Sequence, residues 1–316
     1  MNKVTVLMPV YNDWHSAEKL IQAIHKTAEL NGFFAQFVLV NDGSYEKPGL
    51  AVSNDRTVTI INLCRNLGHQ RAIAIGLSWI HDNLSDHLGI IVMDADGEDA
   101  PESIPALMNA FSLNPDKIVF AGRFNRKENM FFRLNYFFYR IFFRILTGNR
   151  ISFGNFSLIP AKMLRQLVYI PEIWNHYTGG ILRSKIPFTI VPLIRGQRIT
   201  GKSKMSFVAL VMHGLSAVSV YIDVVAVRLL ITFIFLSLLS FIGLIGVIGI
   251  KYFTKLAIPG WATSASSGLI LIFLMALLIS LFLSFIALNY RSQPAIIPVK
   301  NYKDLLIDLS ENTNEI

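Results

Sequence analysis

Cysteine is nearly absent: Cys64 is the single instance in 316 residues, which excludes an internal disulfide framework and suits a reducing compartment. Charge is scarce as well, at 16% of residues against roughly 25% in an average soluble domain. The shortage is concentrated late in the chain, where Leu229 to Ile250 and Leu256 to Tyr290 hold no charged residue. Core helices of soluble proteins rarely run uncharged for so long, and a bilayer crossing needs about 20 apolar residues. These runs predict two transmembrane helices near 228–250 and 267–289, with Pro259, Gly260 and Trp261 in a short interfacial turn. The first residues are not expected to act as a leader peptide. Val4 to Val10 is a short β-branched run that enters a turn, not a long apolar stretch with a cleavage site, so the part before the spans is expected in the cytosol. Two crossings return the chain to that side, which places residues 291–316 there also.

Positive charge is in excess, with 29 Lys and Arg against 21 Asp and Glu and a net charge of +8. Many basic residues lie between Arg123 and Arg228, interleaved with aromatics or just ahead of the first span. That placement favours lipid headgroups and phosphate ligands over a nucleic acid duplex. Met130 to Leu146 reads MFFRLNYFFYRIFFRIL, with eight aromatics and three arginines in seventeen positions. Aromatic bodies with basic tips suit the headgroup boundary, so 130–146 is read as an interfacial helix, a buried core helix being the alternative. Residues 205–225 form a second candidate, an amphipathic helix running along the membrane into the first span.

Short β-rich runs recur at Val4–Met8, Phe37–Val40, Val58–Leu63, Gly89–Met93 and Lys117–Phe120. Helical spacing fills the gaps at Ser16–Leu30, His69–Asn83 and Ser103–Asn114. Strands alternating with helices predict an α/β fold with a largely parallel sheet, whose ligands bind beyond the carboxyl ends of the strands. The unusual residues follow those ends. Asp94, Asp96, Glu98 and Asp99 put four carboxylates within six residues after a buried apolar strand. Mutual repulsion makes such a cluster costly without a cation, and hard oxygen donors suit Mg²⁺ or Mn²⁺ bridged to substrate phosphates. A solvated turn capped by Asp is the alternative.

With PVYND at 9–13, VNDGS at 40–44, RNLGHQRAIAIG at 65–76, MDADGEDAPE at 93–102 and GKSKMS at 201–206 ahead of two spans, the chain resembles the polyprenyl-phosphate glycosyltransferases of glycosyltransferase family 2. These include dolichyl-phosphate mannose synthases and bacterial undecaprenyl-phosphate sugar transferases. The resemblance covers nearly the whole chain. It implies a GT-A fold, a Rossmann-like sheet that binds a nucleotide-sugar donor, over residues 1–204. A juxtamembrane helix at 205–227, a transmembrane hairpin at 228–289 and a cytosolic tail at 290–316 would follow. By the same resemblance, Pro9, Tyr11 and Asp13 line the nucleotide pocket, with Asp13 standing where relatives usually have Glu. Asp42 would contact the base, Asn66 and Gly68 belong to the nucleotide-side loop, Asp94 lies near the ribose and diphosphate, and Asp96 with Glu98 would hold the metal.

Two departures from the family pattern matter. Glu98 replaces a common glutamine, which leaves a hard ligand in place. Asn155, in Gly154-Asn155-Phe156-Ser157, stands where relatives often carry Asp, and an amide cannot be a general base. A lipid phosphate monoester has a second pKa near 6 and is largely a dianion at neutral pH, so it hardly needs deprotonation. Catalysis then becomes positioning and charge stabilisation, with Asp94, Asp96, Arg123 and Arg198 expected to carry it. Arg123, Arg126, Arg140, Arg198 and Lys204 are the cations expected for the acceptor phosphate. His69 and His176 are read as ordinary hydrogen-bonding residues. The partners so implied are the nucleotide sugar, the polyprenyl phosphate, the membrane and a second copy of the chain, since relatives assemble. A processive polysaccharide synthase is the competing enzyme, but no Q-x-x-R-W segment is present. A degenerate sugar-nucleotide binder is the non-enzymatic alternative.

Overall fold

The computed structural model describes residues 2–124, 140–149, 153–194, 196, 198–199, 207–254 and 259–307. Two compact units emerge, one formed by residues 1–139, 150–220 and 295–316, the other by 140–149 and 221–294.

The first unit is built on a seven-stranded sheet. Its strands are β1 (Asn2–Val10), β2 (Phe33–Asn41), β3 (Val58–Asn62), β4 (Gly89–Val92), β5 (Ile118–Phe124), β6 (Phe153–Pro160) and β7 (Phe188–Ile194), in the spatial order β3-β2-β1-β4-β6-β5-β7. β1 to β4 pair in parallel, β6 runs antiparallel to both β4 and β5, and β7 lies parallel to β5. Only β6 is therefore reversed. The five strands expected from sequence are present, and β6 and β7 are additions. β6 escapes a sequence reading because its GNFS stretch mixes polar and small residues, and strand propensity is decided by packing more than by residue type.

Helices cover both faces of the sheet, as a buried parallel sheet requires. They are α1 (Trp14–Asn31), α2 (Leu50–Ser53), α3 (His69–Asn83) and α4 (Ile104–Leu113). The two-residue period of β1 sends Val4, Val6, Met8 and Val10 to one core with α1 and α4, and Leu7 to the other with α3. Residues 140–147 form α5 in the second unit. In the first unit α6 (Ala161–Val168), α7 (Tyr177–Ser184) and α8 (Phe207–Ser219) follow β6 and β7 or flank them in sequence.

The C-terminal stretch is not a free tail. After α11 (Pro298–Asn301), Leu306 bridges Leu63 antiparallel, and the Cys64 and Ile307 amides donate to Leu305 and Asn62 carbonyls at 3.0 and 2.9 Å. Tyr302 is 1% exposed, and its hydroxyl donates to Asp82 at 2.9 Å. The outer edge of β3 is thereby covered, a common defence of an exposed edge strand.

The second unit holds α9 (Ile222–Phe253) and α10 (Trp261–Ser292), which contain the expected spans. At 1.5 Å per residue each is about 48 Å long, more than the roughly 30 Å of a hydrocarbon core. They pack on each other through Phe241 and Phe273, with ring centroids 6.1 Å apart. Only 11% of the most apolar window of each is buried, whereas a core helix would be mostly enclosed. The single helix expected over 205–225 is interrupted: α8 stops at Ser219 and α9 begins at Ile222. Arg183 donates to the Val220 carbonyl in that break. Of the expected interfacial helix, residues 130–139 lie outside the described residues. Its described end, α5, buries Phe143 edge-on against Tyr221, while Ile141, Phe142 and Ile145 are exposed.

Candidate active site

The strand order reverses direction around β1, with β2 on one side and β4 on the other. In open parallel sheets the crevice for ligands lies at the carboxyl ends at such a switch point. Asp13 follows β1, and Asp94 and Asp96 follow β4, so the candidate carboxylates converge there. β6 begins at the same edge. Its Ser157 pairs with Val92, which sets Asn155 two residues further out, opposite Asp94. β5 and β7 also end at this edge, ahead of Arg126 and Arg198.

The turn after β4 is tightly specified. The Asp94 amide donates to Asp99 at 2.9 Å, and the Glu98 amide donates to Asp96 Oδ1 at 3.0 Å. Gly97 has φ +88°, and a Cβ there would lie 2.5 Å from Ile199 Cγ1, so no side chain fits. That close approach lets residues 196–199 run against the turn: Gly196 donates to the Glu98 carbonyl at 2.9 Å and Ile199 to the Asp96 carbonyl at 3.0 Å. Arg198 is carried into the crevice between these two anchors. Its guanidinium lies 3.6 Å from Asp96 Oδ2 and 3.8 Å from Asp13 Oδ2. The resemblance assigned Arg198 to the acceptor phosphate; in this fold its guanidinium stands beside the carboxylates of Asp96 and Asp13. Asp13 occupies the N-cap of α1 without making a side-chain cap, although capping is the ordinary use of Asp there.

Asp42 is likewise given a specific task. It is 3% exposed, and its two oxygens accept the Leu67 and Gly68 amides at 2.7 and 3.0 Å. Burial pushes its pKa up, and the two amides, His69 and Arg71 pull it part of the way back. Its carboxylate thus shapes the 65–68 loop, whatever the base contact that the resemblance implies. Gly43 must be glycine here, because a Cβ at its φ of +69° would lie 2.5 Å from the Asn66 nitrogen. Asn12, at φ +49°, ties the first loop to the second: its side-chain oxygen accepts the Tyr45 amide at 3.0 Å, and its own amide donates to Ser44. Asn tolerates this left-handed geometry better than most residues. Tyr11 is 47% exposed at the mouth of the crevice, and Pro9 is buried in β1.

A second polar cluster was missed from sequence. His69 Nε2 lies 3.0 Å from Asp94 Oδ1 and 3.0 Å from the Asn155 carboxamide nitrogen. Burial lowers the imidazole pKa, but the carboxylates of Asp94, Asp99 and Asp42 outweigh it and raise the net value. Gln70 accepts the Tyr177 amide at 2.6 Å, and Thr178 donates to the Asn155 side-chain oxygen at 3.3 Å. Asn155 is therefore a junction between α3, β6 and α7. The one available signal was His69 opening a helix directly after a glycine loop at the ligand edge of the sheet. His176 accepts the Gly179 amide at 3.0 Å and caps α7.

Arg123 is inside β5, opposite Leu193, instead of following the strand, because β5 runs four residues beyond its apolar segment. Arg140 is exposed on α5 of the second unit. Arg126 and Lys204 lie outside the described residues. Among the described residues no three His, Cys, Asp or Glu side chains form a ready cation cage. Mg²⁺ or Mn²⁺ needs only one or two carboxylates, the rest of its shell being water and substrate phosphates, and Asp96 Oδ2, which faces the Arg198 guanidinium at 3.6 Å, is an oxygen that could hold such an ion.

Known proteins share this architecture. Mannosyl-3-phosphoglycerate synthase from Rubrobacter xylanophilus superposes with a TM-score of 0.50 at 13% identity, covering 69% of this chain and 72% of that one. Glucosyl-3-phosphoglycerate synthase from Mycobacterium tuberculosis, crystallised with UDP, gives 0.50 at 10% identity over 71% and 80%. Such low identities speak to the fold alone. By sequence, an uncharacterized glycosyltransferase, YkcC, of Bacillus subtilis (strain 168) is 28% identical over 211 residues, 63% of this chain and 62% of that protein. The undecaprenyl-phosphate 4-deoxy-4-formamido-L-arabinose transferase of Enterobacter sp. (strain 638) is 26% identical over 227 residues, 67% and 65% respectively. The chain thus spans a little under two thirds of the length of these relatives. The model of the family described as glycosyl transferase family 2 matches residues 5–168, from β1 through α6, and the chain belongs to that family.

Proposed function

We propose that this chain transfers a sugar from a nucleotide-activated donor to a polyprenyl phosphate at the cytosolic face of a membrane, with a divalent metal. The observation that carries the reading is the convergence of Asp13, Asp94 and Asp96 at the switch point of the sheet, in a chain that goes on into an apolar helix hairpin. The hairpin is entered from α8 and left into residues 295–307, both part of the first unit. A chain that leaves and rejoins one unit crosses a bilayer an even number of times, which supports two spans with the sheet on one side. The acceptor class is suggested by the relative named as an undecaprenyl-phosphate 4-deoxy-4-formamido-L-arabinose transferase.

In this reading the loops at 11–13 and 42–46 and the 65–68 loop held by Asp42 form the donor pocket, with Tyr11, Asn66 and Gly68 along its wall. Asp96, with Glu98, would hold Mg²⁺ or Mn²⁺, which when bound would supply positive charge to neutralise the departing nucleoside diphosphate. Asp94 is oriented by His69 and by its place in the turn. A phosphate oxygen of the lipid attacks the anomeric carbon directly, the bond to the diphosphate breaks, and configuration at that carbon inverts. The acceptor arrives as a dianion, so Asn155 need not take a proton, and Arg123, Arg126 and Lys204 are the cations assigned to that phosphate. Membranes holding the protein would be incubated with labelled nucleotide sugars and undecaprenyl phosphate, with Mn²⁺, Mg²⁺ or chelator. Label should enter the organic phase only with metal, and Asp96→Ala should abolish transfer while membrane insertion persists. Unchanged transfer by that variant refutes the metal assignment.

A further inference from the structure

We infer that residues 298–307, which follow the hairpin, are a positioning element of the donor site: they fix the carboxyl end of β3 and, through it, the 65–68 loop. The inference rests on the proposed reading of that loop as a wall of the nucleotide pocket, and it adds to that reading a distant segment on which donor binding depends.

The segment meets β3 where the loop begins. The Ile307 amide donates to the Asn62 carbonyl at 2.9 Å, Leu306 bridges Leu63, and the Cys64 amide donates to the Leu305 carbonyl at 3.0 Å. β3 ends at Asn62, so these bonds lie at its last residue and just beyond. Among the described residues, no backbone bond joins the segment to Val58–Ile61. Only Arg65 and Asn66 separate Cys64 from Leu67 and Gly68, whose amides Asp42 holds at 2.7 and 3.0 Å. The helix that leaves the loop is gripped as well. α3 begins at His69, and Tyr302 shares a core cluster with Ile73, Leu77 and Ile80 of that helix. The Tyr302 hydroxyl lies 2.9 Å and the Lys303 ammonium 3.5 Å from Asp82, near the helix end.

The chain entering the loop is therefore held from both sides. The Leu63 amide donates to the Asn41 carbonyl of β2 at 3.0 Å, while the Asn62 carbonyl and the Cys64 amide find their partners in residues 305–307. Asn62 carries the effect further. Its side-chain oxygen accepts from Asn41 at 2.9 Å, the Asn41 side-chain oxygen accepts the Ser44 amide at 3.0 Å, and Ser44 Oγ accepts the Asn12 amide at 3.0 Å. A shift at Asn62 thus reaches the other two loops of the donor pocket. A loop that loses a support spends less time in its binding conformation, and apparent affinity falls by that fraction. Donor binding should suffer, while acceptor binding and the chemical step should not.

The test removes one amide. Leu306 is already extended, at φ −92° and ψ 143°, the conformation that a following proline requires. Ile307→Pro therefore deletes the donor to Asn62 with little other change, and Ile307→Ala keeps it. Both are made in the full chain in detergent, with thermal melting to establish that each is folded. Amide exchange is measured at Leu67 and Gly68, and transfer from labelled UDP and GDP sugars to undecaprenyl phosphate with Mn²⁺ gives kcat and the KM of each substrate. Loss of one backbone hydrogen bond predicts exchange about three- to tenfold faster, and a donor KM raised by a similar factor, in Ile307→Pro. The undecaprenyl phosphate KM and kcat should hold, and Ile307→Ala should match wild type. An unchanged donor KM in Ile307→Pro overturns the inference, and so does a loss spread equally over both KM values and kcat, which marks general destabilisation. If wild type transfers label from none of the sugars, the transfer reading fails by itself. Exchange at Leu67 and Gly68 then decides whether the segment holds the loop, and equal rates in all three proteins overturn it.

Discussion

Replacing Asp42 tests whether the nucleotide-side loop is held as the structure implies. Its carboxylate accepts the Leu67 and Gly68 amides at 2.7 and 3.0 Å while 3% exposed. A hydrogen bond to a charged group contributes about 1.5–3 kcal/mol, and a buried donor left without a partner costs about 1–3 kcal/mol. Asp42→Ala removes both bonds at once. Relaxation of the loop toward water offsets part of the loss, leaving about 3 kcal/mol on these figures. For a unit of this size the apparent melting temperature should fall by about 6–12 °C. Asp42→Asn should fall less, because one amide keeps an oxygen acceptor and the burial penalty that raises the Asp42 pKa disappears with the charge. Hydrogen exchange supplies the local readout, with the Leu67 and Gly68 amides accelerating by about a hundredfold in Asp42→Ala. Melting within about 2 °C of wild type, together with unaltered exchange at those amides, would refute the assignment.

Three other changes separate the parts of the site. Asn155→Ala should leave sugar transfer within about tenfold of wild type, because the acceptor phosphate is already ionised; a loss of several orders of magnitude would show that Asn155 acts in the chemistry. The His69 pKa is raised above its ordinary 6.5, so its interaction with Asp94 stabilises the fold fully below that value and is lost as pH rises through the higher folded value. Melting profiles should therefore show a stability decrement above pH 6.5 that His69→Gln lacks, and identical profiles would remove the ion pair from the account. Tyr302→Phe should cost about 1 kcal/mol through its bond to Asp82. Tyr302→Ala should cost about 3–5 kcal/mol and expose residues 295–307 to limited proteolysis.

Much of the architecture was legible in the sequence. The apolar runs of β1, β2 and β4 and the helical spacing of α1 and α3 report burial directly, because parallel strands covered on both faces must be apolar throughout. The two long uncharged segments predict α9 and α10 for a different reason, because a helix exposed to hydrocarbon needs about 20 apolar residues to cross it. β6 and β7 were not legible. β6 is polar at its start, and its strand conformation comes from the neighbours it pairs with, β4 and β5. The break at Val220–Tyr221 between α8 and α9 was hidden as well, since it depends on Arg183 reaching the Val220 carbonyl from 37 residues away in sequence.

The sequence by itself determined which chemistry is at hand: carboxylates and glycine-rich loops after apolar strands, an amide where relatives often carry an acid, and an apolar hairpin to follow. Residue type and local spacing suffice for that, because strand ends and helix faces are properties of short segments. Only the tertiary structure decided how those residues are spent. Asp42 turns inward to loop amides, His69 meets Asp94 and Asn155, Arg198 crosses from beyond β7 to Asp13 and Asp96, and the last described residues return to cover β3. Each of these joins segments tens to hundreds of residues apart, and such pairings are set by strand order and close backbone approach, which no local pattern records.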